Sequence, residues 1–345
     1  MQKKVFIIGN GFDLAHDLKT SYADLLNYHS DRVFSEVNQN GYYEDSFFKV
    51  EFEYPLNSGF YQHSRIQQYM TSQGFIEFMS IAEKMSNVSF TKKNDFYFLI
   101  RQRFLEANWV DIECLYFEEL KNHLHNPAKA KKLNSEFAQI QNLLSDYLCS
   151  LNYHANEIVD FHSIFQHDST LGISSDQSSR MFLNFNYTNT INQYLKDNVR
   201  TKELIHIHGE LKSEENPIIF GFGDEHSEDY KLFENSNNSE FLRFIKYPRY
   251  TLTNNYRKLE LFLAQTSGYE VSIIGHSCGL SDRTILRRVL DNDKCTQIRI
   301  YPYKDGDNYL QVVTELTRHF RDKTDYLRKT IPYDSKTLCP QFKTK

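Results

Sequence analysis

The chain has 345 residues, of which 40% are hydrophobic and 25% are charged, and its formal net charge is −5 at pH 7. This composition predicts a folded protein with a sizeable core, and the negative net charge gives no basic footprint for nucleic acid, which we therefore do not expect as a partner. The five cysteines are odd in number and widely spaced, so the sequence indicates neither a disulfide framework nor a zinc knuckle. The first apolar run is too short for a signal peptide and no stretch has membrane-spanning length, so we expect a cytoplasmic protein without a membrane partner.

The first predicted element is a short strand over residues 5–8, whose apolar residues suit a strand buried on both faces. The turn Gly9-Asn10-Gly11 follows it, and a helix can begin at Phe12. Glycines allow close backbone approach, and the free N–H groups at a helix start can bind a phosphate. The segment therefore predicts a phosphate cradle, although a Gly-x-Gly pair without a third glycine also occurs in ordinary strand-to-helix turns.

A long helical insertion is predicted next, because residues 21–166 lack strand signals bounded by glycine or proline. The clearest helical segments are residues 21–26, 94–105, 110–124 and 133–151, whereas residues 41–60 and 168–179 predict loops. Asp111 and Glu113, next to Trp109, lie at the start of a predicted helix. The helix dipole already favours acids there, so we assign them no chemical role.

Strand and helix patterns alternate in the second half of the chain. Strands are predicted at residues 181–185, 204–208, 218–220, 271–274 and 297–301, and helices at residues 190–196, 256–265, 282–290 and 308–321. Such alternation is typical of a doubly wound parallel sheet. We therefore predict a single α/β domain over residues 1–345, with a Rossmann-like parallel sheet and a mostly helical insertion at residues 21–180.

Polar residues and glycines follow the predicted strands. Ligands of doubly wound sheets bind at the carboxyl ends of the strands, so these residues are the candidates for chemistry. Asn186 follows one strand, and His208 ends the next with His206 on the same face. The other candidates are Gly9, Asn10, Gly11, Phe12, Asp13, His16, Gly275, His276, Ser277 and Asp282. We expect Asn186, His208 and the turns at Gly9 and Gly275 to converge on one crevice.

The same residues have simpler interpretations. A single strand-end histidine such as His208 is commonly a partly buried, hydrogen-bonded residue, and Asn186 is a common turn residue. Zinc binding by His206, His208 and Glu210 is disfavoured, because Gly209 should break the strand before Glu210 aligns.

The segment Gly275-His276-Ser277-Cys278-Gly279 matches the Gly-x-Ser-x-Gly nucleophile elbow of esterases. That class needs an acid and then a histidine downstream, and His319 is the histidine that remains there. An esterase would leave the turns near Gly9 and Asn186 without a role. It is therefore the weaker interpretation.

Five short blocks follow one another along the chain: Ile7-Ile8-Gly9-Asn10-Gly11-Phe12-Asp13-Leu14-Ala15-His16 with Thr20-Ser21-Tyr22, then Trp109-Val110-Asp111-Ile112-Glu113, Phe185-Asn186-Tyr187-Thr188, His206-Ile207-His208-Gly209, and the segment from Gly275-His276-Ser277 to Asp282. In this order they resemble the bacteriophage abortive-infection AbiH family over nearly the whole chain. The resemblance implies a role in antiphage defence.

The order of glycine turn, asparagine turn, His-Gly and Gly-x-Ser also resembles, more distantly, the sirtuin-like NAD-binding domains of several antiphage effectors. Thr188 stands where those domains usually carry an aspartate, and the chain lacks the cysteine quartet of the sirtuin zinc module, so protein deacylation is disfavoured.

This second resemblance implies that the protein binds NAD or a related nucleotide and hydrolyses it to ADP-ribose and nicotinamide without a metal. It assigns the general base to His208, and the nicotinamide ribose or the attacking water to Asn186. The backbone from Gly9 to Phe12 would hold the pyrophosphate. The ribose hydroxyls would contact Asp13, Ser277 and Asp282.

Constitutive destruction of NAD would kill the host, so we expect the insertion to keep the site closed until a phage-derived activator or homo-oligomerisation opens it. Two other classes stay open: a non-catalytic nucleotide sensor, which would bind without releasing nicotinamide, and a nuclease-type toxin. A nuclease needs clustered acids for a metal, and the sequence offers the pair Asp111 and Glu113.

Overall fold

The computed structural model describes residues 3–61, 66–103, 109–151, 156–166, 179–195, 202–303, 306 and 308–342. The chain divides into two compact units. Unit 1 comprises Met1–Thr20 and Leu151–Lys345, and unit 2 comprises Ser21–Ser150. The sequence of the second unit is thus inserted into that of the first.

The strands of the described residues are β1 (Lys3–Ile8), β2 (Tyr42–Glu44), β3 (Phe48–Phe52), β4 (Val88–Lys92), β5 (Arg180–Asn184), β6 (Lys202–His206), β7 (Tyr269–Ile274) and β8 (Cys295–Tyr301). The α-helices are α1 (Asn10–Ala15), α2 (Tyr22–Asn40), α3 (Phe75–Lys84), α4 (Asp95–Arg103), α5 (Trp109–Asn122), α6 (Pro127–Ser150), α7 (Val159–Gln166), α8 (Glu228–Glu234), α9 (Lys246–Arg249), α10 (Asn255–Ala264), α11 (Arg283–Leu290), α12 (Tyr309–Thr317) and α13 (Lys323–Lys329). Within the part of the chain that the structure describes, no helix combines the length and the apolar character needed to cross a membrane.

Unit 1 is built on a five-stranded parallel sheet with the order β6-β5-β1-β7-β8. The predicted Rossmann-like α/β fold is confirmed. Ile8 of β1 pairs in register with Asn184 of β5 and with Ile274 of β7, and Asn184 pairs with His206 of β6. These four strands therefore end at one level, and the loops that follow them leave the sheet at the same edge.

Alternate residues of β1 enter two hydrophobic cores on opposite faces of the sheet, because successive side chains of a strand point in opposite directions. Val5 and Ile7 belong to a core that includes residues of α10, α11 and α12. Phe6 and Ile8 belong to the other core, with Phe12 of α1. Helices thus cover both faces of the sheet, which explains why β1 is apolar without alternation.

The strand predicted at residues 218–220 is wrong. These residues form a loop that runs beside the end of β6, where the Ile219 N–H donates to the His208 carbonyl at 2.8 Å. Gly209 and Gly221 have φ angles of +89° and +149°. They bend the chain on both sides of the segment, so regular pairing does not develop.

Two helices of unit 1 differ from their predicted form, and one predicted loop lies almost entirely outside the described residues. The helix predicted at residues 190–196 is a 3-10 turn, Thr190–Tyr194, and the one predicted at residues 308–321 ends earlier, as α12. The loop predicted at residues 168–179 lies outside the described residues except for residue 179.

Unit 2 contains helices α2 to α6 and a three-stranded antiparallel sheet with the order β2-β3-β4. The predicted helices are confirmed, but the loop predicted at residues 41–60 is wrong, because it includes β2 and β3. In β3, Phe48, Val50 and Phe52 are buried and alternate with more exposed residues. This period of two was the missed strand signal.

Candidate functional site

The turn between β1 and α1 packs directly against the turn that follows β7. A Cβ atom on Gly9 would lie 2.6 Å from the His276 Cα, and one on Gly11 would lie 2.8 Å from the Gly275 Cα. Gly275 has a φ of +66°, and a Cβ there would lie 2.2 Å from the Phe12 nitrogen. The glycines are therefore required for the contact between the two turns.

The backbone amides of the β1–α1 turn have partners within the protein. The Gly9 N–H donates to the Ile274 carbonyl at 3.1 Å, and the Gly11 N–H donates to the Gly275 carbonyl at 2.8 Å. The Phe12 N–H donates to the Gly9 carbonyl at 2.9 Å. Three of the donors that the sequence assigned to a phosphate are thus used within the protein: two bond to the end of β7 and the turn after it, and the third closes the β1–α1 turn itself. That assignment stays a prediction.

A buried charged cluster lies at the same edge of the sheet. The His208 Nε2 is 3.2 Å from the Asp282 Oδ1, and the Lys246 ammonium donates to that same oxygen at 2.7 Å. The second carboxylate oxygen of Asp282 lies 3.5 Å from the His276 Nε2. All four residues are buried. Asp282 thus joins the loop after β6, the start of α9 and the loop after β7.

The protonation states in this cluster follow from burial and from its charges. Burial opposes the ionisation of Asp282, but Lys246 and the N–H groups of His208 and His276 hold the pKa of this carboxyl well below its usual range. Burial is also the largest cause of the lowered pKa of His208, and the Lys246 charge lowers it further, to about 4, against the opposing effect of Asp282. At pH 7 the cluster therefore contains a carboxylate, an ammonium and the neutral His208 imidazole.

Aromatic side chains and a loop hydrogen bond orient the two imidazoles. The Phe185 ring packs edge-on against His208 and His276, with centroid distances of 4.9 and 4.3 Å. The Cys278 N–H donates to the His276 Nδ1 at 2.9 Å, so Nδ1 is an acceptor and Nε2 carries a proton toward Asp282. The Tyr250 hydroxyl lies 3.3 Å from the His208 Nε2.

Asn186 is connected to the β1–α1 turn. Its side-chain amide donates to the Gly9 carbonyl at 3.0 Å, and its backbone N–H donates to the Asn184 side chain at 3.1 Å. Two residues later, the Thr188 hydroxyl donates to the Asp13 carboxylate at 2.6 Å. The loop after β5 is therefore held to α1 by side chains of both segments.

Asp13 is a fully buried carboxyl. Burial raises its pKa to about 6, although hydrogen bonds from Thr188, Thr190 and Asn186 oppose this effect. Its second oxygen, Oδ1, has no hydrogen-bond partner in the described part of the chain. Such a group carries a proton at mildly acidic pH.

The structure brings the predicted strand-end residues together, and a series of contacts connects each to the next. Asn186 touches Gly9, Gly9 packs on His276, and His276 and His208 both face Asp282. Asn10 and Gly275 are half-buried and Ser277 is exposed at the same edge. These residues therefore lie at one edge of the sheet, and the crevice expected there stays a prediction.

His16 has a different environment from the other candidates. Its Nδ1 donates to the Phe12 carbonyl at 2.6 Å, and its Nε2 accepts from the Tyr194 hydroxyl at 2.7 Å. Its ring stacks on Phe161 in the core below the sheet edge, and burial lowers its pKa. These contacts stabilise α1 against its neighbours, and the predicted role in binding stays a prediction.

Lys246 and Tyr250 are two residues of the site that the sequence pattern does not mark. Neither follows a strand, since both belong to the short helical turns of α9 and of Tyr250–Leu252. The one sequence feature that could have indicated Lys246 is its position after the apolar pair Phe244-Ile245. A lysine next to apolar residues is too common to indicate a site. Folding brings Lys246 to Asp282, 36 residues later in the chain.

The Gly-x-Ser-x-Gly segment lacks the arrangement of a nucleophile elbow. The His319 Nε2 donates to the Cys278 carbonyl at 2.7 Å rather than bonding Ser277. Positive φ angles occur at Gly275 and Cys278, not at the serine, whereas the elbow places the serine itself on the strained turn. These two observations disfavour the esterase.

The comparisons with known proteins agree with the order of the sequence blocks. The family model described as "Bacteriophage abortive infection AbiH" matches residues 5–303, which include every residue of the charged cluster. A search of curated proteins found no match to the chain. Because the family model covers most of its length, the chain belongs to the bacteriophage abortive infection AbiH family.

Proposed function

We propose that this abortive-infection protein binds NAD at the carboxyl edge of the unit 1 sheet and hydrolyses it to ADP-ribose and nicotinamide. The observation that carries the proposal is the buried pair of His208 and Asp282, connected through His276 and Gly9 to Asn186. A neutral, oriented imidazole and a strand-end amide, linked by these contacts, fit a reaction that needs one proton acceptor and one polar group near a ribose.

The reaction requires few groups from the protein. The bond between the ribose C1′ and the nicotinamide nitrogen breaks and leaves an oxocarbenium-like centre, nicotinamide departs with the bonding electron pair, and a water oxygen then bonds to C1′. The water must lose a proton. His208 accepts it, because its Nε2–H is directed at Asp282 and the lone pair is on Nδ1.

Asp282 orients the base, and Asn186 positions the ribose or the water. A carboxylate that accepts the N–H of an imidazole fixes its tautomer and stabilises the imidazolium that forms. Asn186 is held by its bond to the Gly9 carbonyl, so its amide oxygen has a defined position. Both roles need rigid side chains, and burial supplies that rigidity.

The diphosphate is proposed to lie near the β1–α1 turn. The amides of Gly9, Gly11 and Phe12 already have carbonyl partners, so its contacts would come from the half-buried Asn10 and the exposed Ser277 hydroxyl. The site therefore binds the diphosphate mainly through neutral hydrogen bonds.

The test is the release of nicotinamide from NAD by the purified protein, with and without phage lysate as activator. We expect His208→Ala to lose about a hundredfold or more in turnover while it keeps most of its affinity for NAD, because proton transfer typically contributes that much. Asn186→Ala should behave similarly. The matched control is His125→Ala, at an exposed histidine of unit 2, which should retain full turnover.

Each contrary result has a distinct meaning. Equal release by the wild type and by His208→Ala removes His208 from the mechanism. Saturable NAD binding without release under any activator refutes hydrolysis and favours a nucleotide sensor. Degradation of DNA or RNA by the activated protein, without nicotinamide release, favours a nuclease-type toxin instead.

A further inference from the structure

Lys246 is a buried cation at the edge of the sheet. It is the first residue of α9, and its side chain is only 1% exposed. Its ammonium donates to the Asp282 Oδ1 at 2.7 Å, and the His208 Nε2 contacts the same oxygen from another direction at 3.2 Å. A buried lysine is costly to desolvate, so its position next to a titratable histidine calls for a physical explanation.

We propose that Lys246 is a positioning residue that keeps Asp282 ionised beside a neutral His208, so that His208 remains able to accept a proton at mildly acidic pH. The inference rests on the proposed function, because it concerns the base of that reaction. It assigns to Lys246 an electrostatic role that acts through Asp282 and His208, without contact with the substrate.

The groups around His208 come from several elements. Lys246 approaches from α9, Asp282 from the segment before α11, His276 from the loop after β7, and the Tyr250 hydroxyl from the turn after α9. Without Lys246, the buried Asp282 carboxylate would have no cationic partner among these groups. Protonation of the adjacent imidazole would then begin at a higher pH, and an imidazolium cannot act as a base.

The size of the effect follows from the geometry. The Lys246 Nζ and the His208 Nε2 lie within about 6 Å of each other, because both contact one oxygen at 2.7 and 3.2 Å. At an effective dielectric constant of about 20, a unit charge at that distance changes proton affinity by about two pH units. Removal of the charge should raise the titration midpoint of His208 by about that amount.

The direct test is the NMR titration of His208 in the full-length protein labelled on histidine Cε1, with the signal assigned by its loss in His208→Gln. The variants are Lys246→Met, which keeps the length of the side chain without its charge, and Lys246→Arg, which keeps the charge. The matched control is Lys231→Met, at a lysine in an exposed ion pair with Glu228.

We expect the His208 midpoint to rise by about two pH units in Lys246→Met and to stay within about half a unit of the wild type in Lys246→Arg and Lys231→Met. The acidic limb of the pH–rate profile for nicotinamide release should move by the same amount in Lys246→Met. A residue that only fills space would lower stability or turnover without moving either midpoint.

The outcomes separate this inference from the proposed function. An unchanged His208 midpoint in Lys246→Met overturns the role of Lys246, whether or not NAD is cleaved. A raised midpoint in a protein that releases no nicotinamide under any activator refutes the hydrolase and keeps the electrostatic role.

Should Lys246→Met fail to fold, a second pair of variants tests the same claim. Asp282→Asn leaves the ammonium without its carboxylate, and Asp282→Asn combined with Lys246→Met removes both charges. The His208 midpoint must be higher in the double variant than in Asp282→Asn alone, and equal midpoints overturn the inference.

Discussion

The buried carboxyl of Asp13 should make the stability of the protein depend on pH. Asp13 joins α1 to the loop after β5 through its bond from Thr188, and burial raises its pKa to about 6, compared with an ordinary value of 3.8. The protonated form is therefore favoured by folding. Its contribution to stability is fully present below about pH 4 and is lost as the pH rises through about 6.

The magnitude follows from the difference in pKa. A difference of about two units corresponds to about 3 kcal/mol at 1.36 kcal/mol per unit. Asp13→Asn removes the titration, and its amide oxygen can still accept the Thr188 hydroxyl. The variant should therefore gain about 3 kcal/mol relative to the wild type between pH 4 and pH 7.

Differential scanning calorimetry at several pH values measures this gain. At 2–4 °C per kcal/mol for a domain of 150–250 residues, the difference in Tm between Asp13→Asn and the wild type should increase by about 6–12 °C from pH 4 to pH 7. Asp17→Asn, at an exposed carboxyl of the same segment, serves as the control and should show no such trend. A Tm difference for Asp13→Asn that stays constant with pH would refute the assignment of a raised pKa to Asp13.

Two further predictions concern the turn after β7. Gly275→Ala should lower the free energy of unfolding by roughly 3–5 kcal/mol, because it combines a φ of +66° with a Cβ 2.2 Å from the Phe12 nitrogen. Gly268→Ala, where the nearest atom is 3.4 Å away, should change it by less than about 1 kcal/mol, and equal losses in urea unfolding would contradict the packing argument. Ser277→Ala should leave stability within about 0.5 kcal/mol and weaken NAD binding about tenfold in calorimetric titration, with a smaller effect on turnover. Cleavage of an ester substrate by the wild type, together with complete loss of turnover in Ser277→Ala, would instead support the esterase interpretation.

The parallel sheet was predictable because its signals are local. The apolar segment that ends at Ile8 is followed at once by glycine, and similar segments end at Asn184, His206 and Ile274. Strands buried on both faces need continuous apolar residues, and helices must follow them to cover the sheet. β3 was missed because it has no continuous apolar run, although its alternation of apolar and polar residues is itself typical of a strand with one buried face.

The residues around the β1–α1 turn do not by themselves determine what its glycines contact. A Gly-x-Gly after a strand predicts a tight turn, and the turn exists. Whether the space next to Gly9 and Gly11 holds a ligand or another part of the chain depends on the neighbouring strand, and here His276 and Gly275 occupy it. Only the order of strands in the sheet decides which loop lies beside which.

The sequence by itself determined the class of fold, the edge of the sheet where polar residues gather and the order of the blocks that mark the family. It did so because the signals for a buried strand and for a strand-to-helix turn lie in residues that are adjacent along the chain. The tertiary structure alone decided that Lys246 and His208 share one oxygen of Asp282 and that Asp13 lies beneath Thr188. These contacts join residues far apart in the chain, and both the protonation of His208 and that of Asp13 depend on the burial and the charges that such contacts create.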